Sequence, residues 1–222
     1  MYAREFFVFD RNRPVSARIR QYTRDDFPEL IQIQRECFPP PFPSELWWNQ
    51  EQLTNHVTLF PEGAHCIEVD GAMAGSITGT LVRWSPDEPD HAWAEITDRG
   101  YIRNLDRAGD TLYIVDISVR PQFRRLGLGK FLMQSMYDVV VAMRLKRLLG
   151  GARMPGYHTV ADRMSPDEYL ASILTGERQD PIITFLLRCG RIPVRVVPNY
   201  LDDEESRNCA VLMEWRNPFE GE

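Results

Sequence analysis

An apolar run from Thr111 to Val119 passes through Arg120-Pro121 into Arg124-Arg125-Leu126-Gly127-Leu128-Gly129-Lys130 and then directly into a helical pattern. This strand–loop–helix junction constrains the chain more than any other stretch. The first N–H groups of a helix have no partner inside it, and the helix dipole places partial positive charge behind them. Gly127 and Gly129 keep side chains away from such a cradle, while Arg124 and Arg125 add fixed charge. The junction therefore predicts a diphosphate clamp. Two common nucleotide patterns are excluded. A dinucleotide fingerprint needs a third glycine where Phe131 and Leu132 stand, and a nucleoside-triphosphate loop needs Ser or Thr after Gly129-Lys130 and a glycine in place of Arg124.

The 222 residues suffice for one large domain with a real core. A net charge of −6 argues against nucleic acid as a partner and leans towards a cationic small molecule. Phe6-Phe7-Val8-Phe9 is too short and too flanked by charge for a secretory leader, and no apolar window reaches membrane-spanning length. The expected location is cytoplasmic, with no membrane partner. Cys37, Cys66, Cys189 and Cys209 and the four histidines lack metal-ligand spacing, so no metal is expected.

Residues 1–15 read as an extension ahead of a single domain spanning 16–222. Ala17–Tyr22 alternates as a first strand, and Thr23 to Asp26 supply the start of a helix carrying Phe27, Leu30 and Ile31. The prolines of Pro39–Pro43 form a stiff connector, and Ser44 opens a second helix towards His56 and Leu59. Strands follow at Cys66–Val69 and Ser76–Val82, joined through Asp70-Gly71, then a polar insertion at 85–90 and a short helix around Ala92–Ile96. After the clamp helix, whose final Arg144, Lys146 and Arg147 complement its negative end, Leu148 to Gly151 read as a strand. Ser165-Pro166 and Asp180-Pro181 open two more helices, and Val194–Val197 and Ala210–Trp215 close the chain as strands.

Arg124-x-x-Gly127-x-Gly129 after a strand ending Val119-x-Pro121 resembles the acyl-CoA loop of the GNAT superfamily of N-acyltransferases. Gly151–His158, Asp180–Phe185, Pro198–Leu201 and Ala210–Trp215 resemble, more narrowly, the GNAT domain fused in some bacterial proteins ahead of a carbon–nitrogen hydrolase. With no room for a hydrolase in 222 residues, the expectation is a free-standing version of that acyltransferase half. The resemblance implies an α/β (α+β) fold, a mixed and mostly antiparallel central sheet with helices on both faces. It also implies acetyl-CoA as cosubstrate, held through Ile117, Ser118, Val119, Arg124, Arg125, Leu126, Gly127, Leu128, Gly129 and Lys130.

For the chemistry, Asp116 is the candidate base, as an acid inside the strand run Val115-Asp116-Ile117; the alternative is a carboxylate on the other face paired with an arginine. Where many members carry a tyrosine that protonates the leaving thiolate, this chain has Leu186, and Arg191 replaces the phenylalanine that follows. Tyr157 is the candidate substitute acid, weighed against a packed loop aromatic. Phe42, Arg153 and His158 are candidate acceptor-site residues, each with a packing, salt-bridge or hydrogen-bonding alternative. The expected function is direct transfer of an acetyl group to a small-molecule or peptide amine in a ternary complex. The alternative is a CoA-binding sensor or partner module with weak catalysis. The closing strands offer an edge for a homodimer.

Overall fold

The computed structural model describes residues 2–220. Strands β1 (Ala3–Asp10), β2 (Arg13–Gln21), β3 (Ala64–Val69), β4 (Ala72–Val82), β5 (Thr111–Val119), β6 (Arg147–Arg153), β7 (Ile192–Val197) and β8 (Ala210–Arg216) form one sheet ordered β1-β2-β3-β4-β5-β6-β8-β7. All neighbours are antiparallel except β5 and β6. The helices are α1 (Phe27–Cys37), α2 (Gln50–Leu59), α3 (Trp93–Ile96), α4 (Leu128–Ala142), α5 (Pro166–Leu174) and α6 (Ile183–Arg188).

Period-two alternation sorts the sheet residues between the two helical layers. His65 of β3 reaches Ser135 of α4, whereas Thr78 of β4, beside the His65 partner Ile77, points the other way to Tyr22. Helix α1 lies on that second face, where Gln34 meets Asp116 and Ser118 of β5. Leu132, Met136 and Val140 of α4 are buried against the first face.

The segment read as an extension supplies the edge strand β1, which pairs with β2 from Ala3↔Arg20 to Asp10↔Arg13. Phe6 stacks on Phe131 of α4 at 4.3 Å, while Phe7 and Phe9 on the opposite side are exposed. The second helix starts later than the Ser44 signal suggests. Residues 44–46 make one tight turn, Trp47 is extended, and Asn49 caps α2 by exchanging hydrogen bonds with Gln52. Asn49 and Gln52 complete a reciprocal capping box, and Ser44 has no cap bond, so helix growth waits for Asn49. The basic residues after α4 are drawn to carboxylates instead of the helix end: Lys146 to Asp110 at 2.9 Å and Arg147 to Glu214 at 3.2 Å. Ser165-Pro166 opens α5 as its sequence requires, and Asp180 Oδ1 receives the N–H groups of Ile182 and Ile183 ahead of α6.

Candidate active site

Strands β5 and β6 pair only from Thr111↔Arg147 to Tyr113↔Leu149 and then part. From Ile114 onwards, the edge of β5 facing β6 has no strand neighbour, and the Val115 and Val119 carbonyls are engaged by side chains instead. On its other edge, β5 stays paired with β4, but the register slips between Thr78↔Asp116 and Gly79↔Ile114. Val115 is the extra residue of this bulge, and its carbonyl accepts the Trp93 indole N–H at 3.0 Å. The bulge turns Asp116 onto the same face as Tyr113 and Ser118, which simple alternation along Val115-Asp116-Ile117 does not determine.

Asp116 sits beneath α1. Its Oδ2 receives the Ser118 hydroxyl at 2.8 Å and the Gln34 amide at 3.0 Å. Burial pushes this carboxyl up to about 6, although both hydrogen bonds favour the ionised form. No arginine is paired with it among the described ion pairs. Gln34 was not singled out from sequence. The available signal was its place seven residues after Phe27 and four after Leu30, a polar side chain in the buried stripe of α1.

At the far end of β5 the chain turns into α4. Arg125 (φ 76°) and Gly127 (φ 75°) are both left-handed, and Gly127 caps α4. No N–H from Arg125 to Gly129 finds an acceptor among the described residues, as a diphosphate cradle requires. The two glycines have different reasons. A side chain at Gly127 would meet open space, so its backbone conformation is what calls for glycine. A Cβ at Gly129 would lie 3.0 Å from the Phe185 ring, so this glycine makes room for α6. The Val119 carbonyl accepts Cys37 Sγ at 3.3 Å and Arg124 Nε at 3.4 Å.

At the C-terminal end of α1, a cavity of about 320 Å³ lies between the proline segment and the Asp203–Glu205 turn, with Cys37 and Arg124 on its wall. Arg153 crosses it. Its guanidinium grips Asp203 through two hydrogen bonds of 2.7 and 2.6 Å, meets Glu205 at 3.0 Å, and stands over the Phe42 ring at 5.1 Å. Arg153 is thus a salt-bridged residue, and it lines this cavity, as Phe42 does. Tyr157 does not offer a free acid. It is buried against Tyr169, and its hydroxyl donates to the Met164 carbonyl at 2.9 Å. His158 braces its own loop, with Nδ1 at 2.7 Å from the Pro155 carbonyl.

Two buried polar chains flank Asp116 and were not legible locally, because their members lie 22 to 87 residues apart. His56 Nε2 lies 2.7 Å from the Gly100 carbonyl and must donate to it. Nδ1 therefore accepts from the Tyr22 hydroxyl, which in turn accepts from Thr78. Burial holds His56 down at about 4, in keeping with a neutral ring. The second chain links His91 to Tyr113 at 3.1 Å and Tyr113 to Tyr200 at 2.8 Å. Among the described residues, no group of three or more His, Cys, Asp or Glu could hold a metal ion, and no helix is long and apolar enough to cross a membrane.

An eight-stranded sheet whose central strand parts from its neighbour and runs into a glycine-spaced turn is the architecture of an acyltransferase class of protein. Residues 27–158 match the Acetyltransferase (GNAT) family model, and the chain belongs to that family as an N-acyltransferase. It is 50% identical over 216 residues to the uncharacterized N-acetyltransferase YkwB of Bacillus subtilis (strain 168), covering 97% of this chain and 96% of that protein. It is 36% identical over 200 residues, 90% of its own length, to the probable hydrolase YhcX of the same organism, of which it spans only 38%. Among solved structures, the GNAT-like decarboxylase GphF in complex with isobutyryl-CoA shares the fold at a TM-score of 0.74 and 21% identity, covering 90% of this chain and 98% of that one.

Proposed function

We propose that the chain transfers an acetyl group from acetyl-CoA directly to an amine, with Asp116 as general base. The observation that carries this reading is the Asp116 carboxyl, buried under α1 on the acceptor face of the parted strand and pushed up to about 6. Above that pH it is ionised and able to take a proton, which is the condition for a base working near neutrality. The amine nitrogen bonds to the thioester carbon, the carbon–sulfur bond breaks, and the ammonium proton passes to Asp116. A thiol is far more acidic than an alcohol, about 8.5 for a cysteine side chain, so it can leave as thiolate and take its proton from water. That suits a site where buried Leu186 stands in the place of the family's tyrosine. Ile117, Ser118 and Val119 supply the backbone groups along the opening, and residues 124–130 hold the diphosphate.

The acyl donor's diphosphate fits the free N–H groups of Arg125 to Gly129. The cavity walled by Phe42, Arg153 and Glu205 receives the acceptor, and its carboxylates favour an amine that brings positive charge. Thiol release from acetyl-CoA and isobutyryl-CoA, measured against a panel of amines, polyamines and peptides, tests the proposal. Amine-dependent release with formation of the amide supports it. Tight binding of acetyl-CoA with no release on any amine selects the sensor module instead.

A further inference from the structure

The gap between the parted strands closes in a fork at Ile114 of β5 and Gly150 of β6, one residue past the last rung of their ladder. Arg191, which immediately precedes β7, reaches this fork. A Cβ at Gly150 would lie 3.2 Å from the Ile114 Cβ and 3.5 Å from Arg191 Nη2, so the missing side chain lets the guanidinium stand against the fork. Nη2 donates to the Gly150 carbonyl at 3.3 Å and also to the Met213 carbonyl of β8. Arg191 is only 3% exposed, and its Nε has no acceptor among the described residues. It has no carboxylate partner among the described ion pairs, and the buried carboxylate next along β8, Glu214, is held by Arg147 and Arg216. Burial pulls the Arg191 guanidinium down to about 10, which leaves it charged at neutral pH. The acidic groups that face it are the phenols of Tyr113, Tyr137 and Tyr200 and the thiol of Cys189. Burial raises all four, so each is neutral at that pH. A buried cation with no countercharge weakens a fold until something supplies one.

Resting on the acyl-CoA reading above, we infer that Arg191 binds the free carboxylate of a dicarboxylic acyl donor such as succinyl-CoA, so that the site takes acyl groups of this class as well as acetyl. The direction of the donor places its acyl end there. The N–H groups of residues 125–129 lie beyond the C-terminal end of β5, and the fork lies at Ile114, towards the other end of the same strand. A donor held by its diphosphate at those N–H groups and extended between the strands runs towards the fork with its acyl group leading. A carboxylate arriving at the fork supplies the missing countercharge and gives Nε an acceptor in a charge-assisted hydrogen bond. A methyl terminus supplies neither. The transfer itself keeps its balance: the amine nitrogen bonds to the thioester carbon, the carbon–sulfur bond breaks, and the distal carboxylate stays with the acyl group.

Binding of succinyl-CoA, butyryl-CoA and acetyl-CoA to the full chain, by calorimetry, tests the inference with the wild type and an Arg191→Met variant. Succinyl and butyryl chains have the same number of carbons and differ in ending on a carboxylate or a methyl group. The wild type should bind succinyl-CoA about tenfold or more tightly than butyryl-CoA. Arg191→Met keeps an unbranched side chain of similar reach without the charge, and it should lose or invert that preference. A cooperative melting curve verifies that the variant folds. If it does not fold, the structure of the wild type with succinyl-CoA decides: a carboxylate at hydrogen-bond distance from Arg191 Nε supports the inference, and one directed elsewhere overturns it. Succinyl-CoA bound no more tightly than butyryl-CoA by the wild type overturns the inference while leaving the acyl-CoA reading intact. A preference that survives in Arg191→Met also overturns it. Binding of none of the three donors by the wild type overturns the acyl-CoA reading itself, and this inference with it.

Discussion

At Asp116, stability and the proposed role as base pull in opposite directions. The folded protein holds the carboxyl near 6, above the unfolded value of about 3.9, because burial disfavours its charge. Whatever this group contributes to stability is fully present below the unfolded value and is lost as pH rises through 6. Asp116→Asn removes the charge while keeping the shape. Its melting temperature relative to wild type should therefore rise between pH 4 and pH 8. Its kcat should fall by about 10²- to 10⁴-fold, with loss of the inflection near pH 6 in kcat/KM. A variant that keeps that inflection would assign it to another group. The clamp glycines differ in the same residue-level way. Gly127→Ala forces a side chain into the left-handed region and should cost about 1–2 kcal/mol in urea denaturation. Gly129→Ala gains helix propensity of about 1 kcal/mol against a contact with a ring that can shift, so it should cost less than Gly127→Ala.

Among the elements, those governed by neighbours in sequence were legible and those governed by distant ones were not. The start of α5 follows from Ser165, Pro166 and Glu168 alone, and the turn from β5 into α4 follows from a strand end and spaced glycines. The start of α2 was misplaced because Ser44 imitates a cap, while the reciprocal pair is Asn49 and Gln52. Strand β1 was missed because Phe6-Phe7-Val8-Phe9 at a sheet edge is apolar on both faces and carries no alternation to read. The bulge at Val115 depends on the register of β4 and on an indole 22 residues away, and no local pattern contains either. Trp93→Phe tests how much the bulge matters. It leaves the Val115 carbonyl without its donor, at about 1–3 kcal/mol. If the indole bond holds the bulge, kcat should fall while KM for the acyl donor changes little, because the clamp is built elsewhere. Unchanged kcat would show that the β4 register holds the bulge unaided.

Across the whole molecule, the parting of β5 from β6 divides the sheet. One part runs from β1 to β5 and the other from β6 to β7, joined by a three-residue parallel ladder and by α4 packed against strands on both sides. A donor lying between the parted strands contacts both parts and replaces some of the missing ladder. It also engages N–H groups that nothing in the protein engages. Occupancy should therefore tighten the sheet beyond the contacts at the clamp. Acetyl-CoA at 100 times its dissociation constant should stabilise the fold by about 2.7 kcal/mol. Hydrogen exchange should slow at residues 125–129, at 114–119 and along 150–153 of β6. Protection confined to 125–129 would mean that the donor touches the clamp without closing the gap. Such a molecule would hold the cofactor yet leave its thioester out of reach of Asp116.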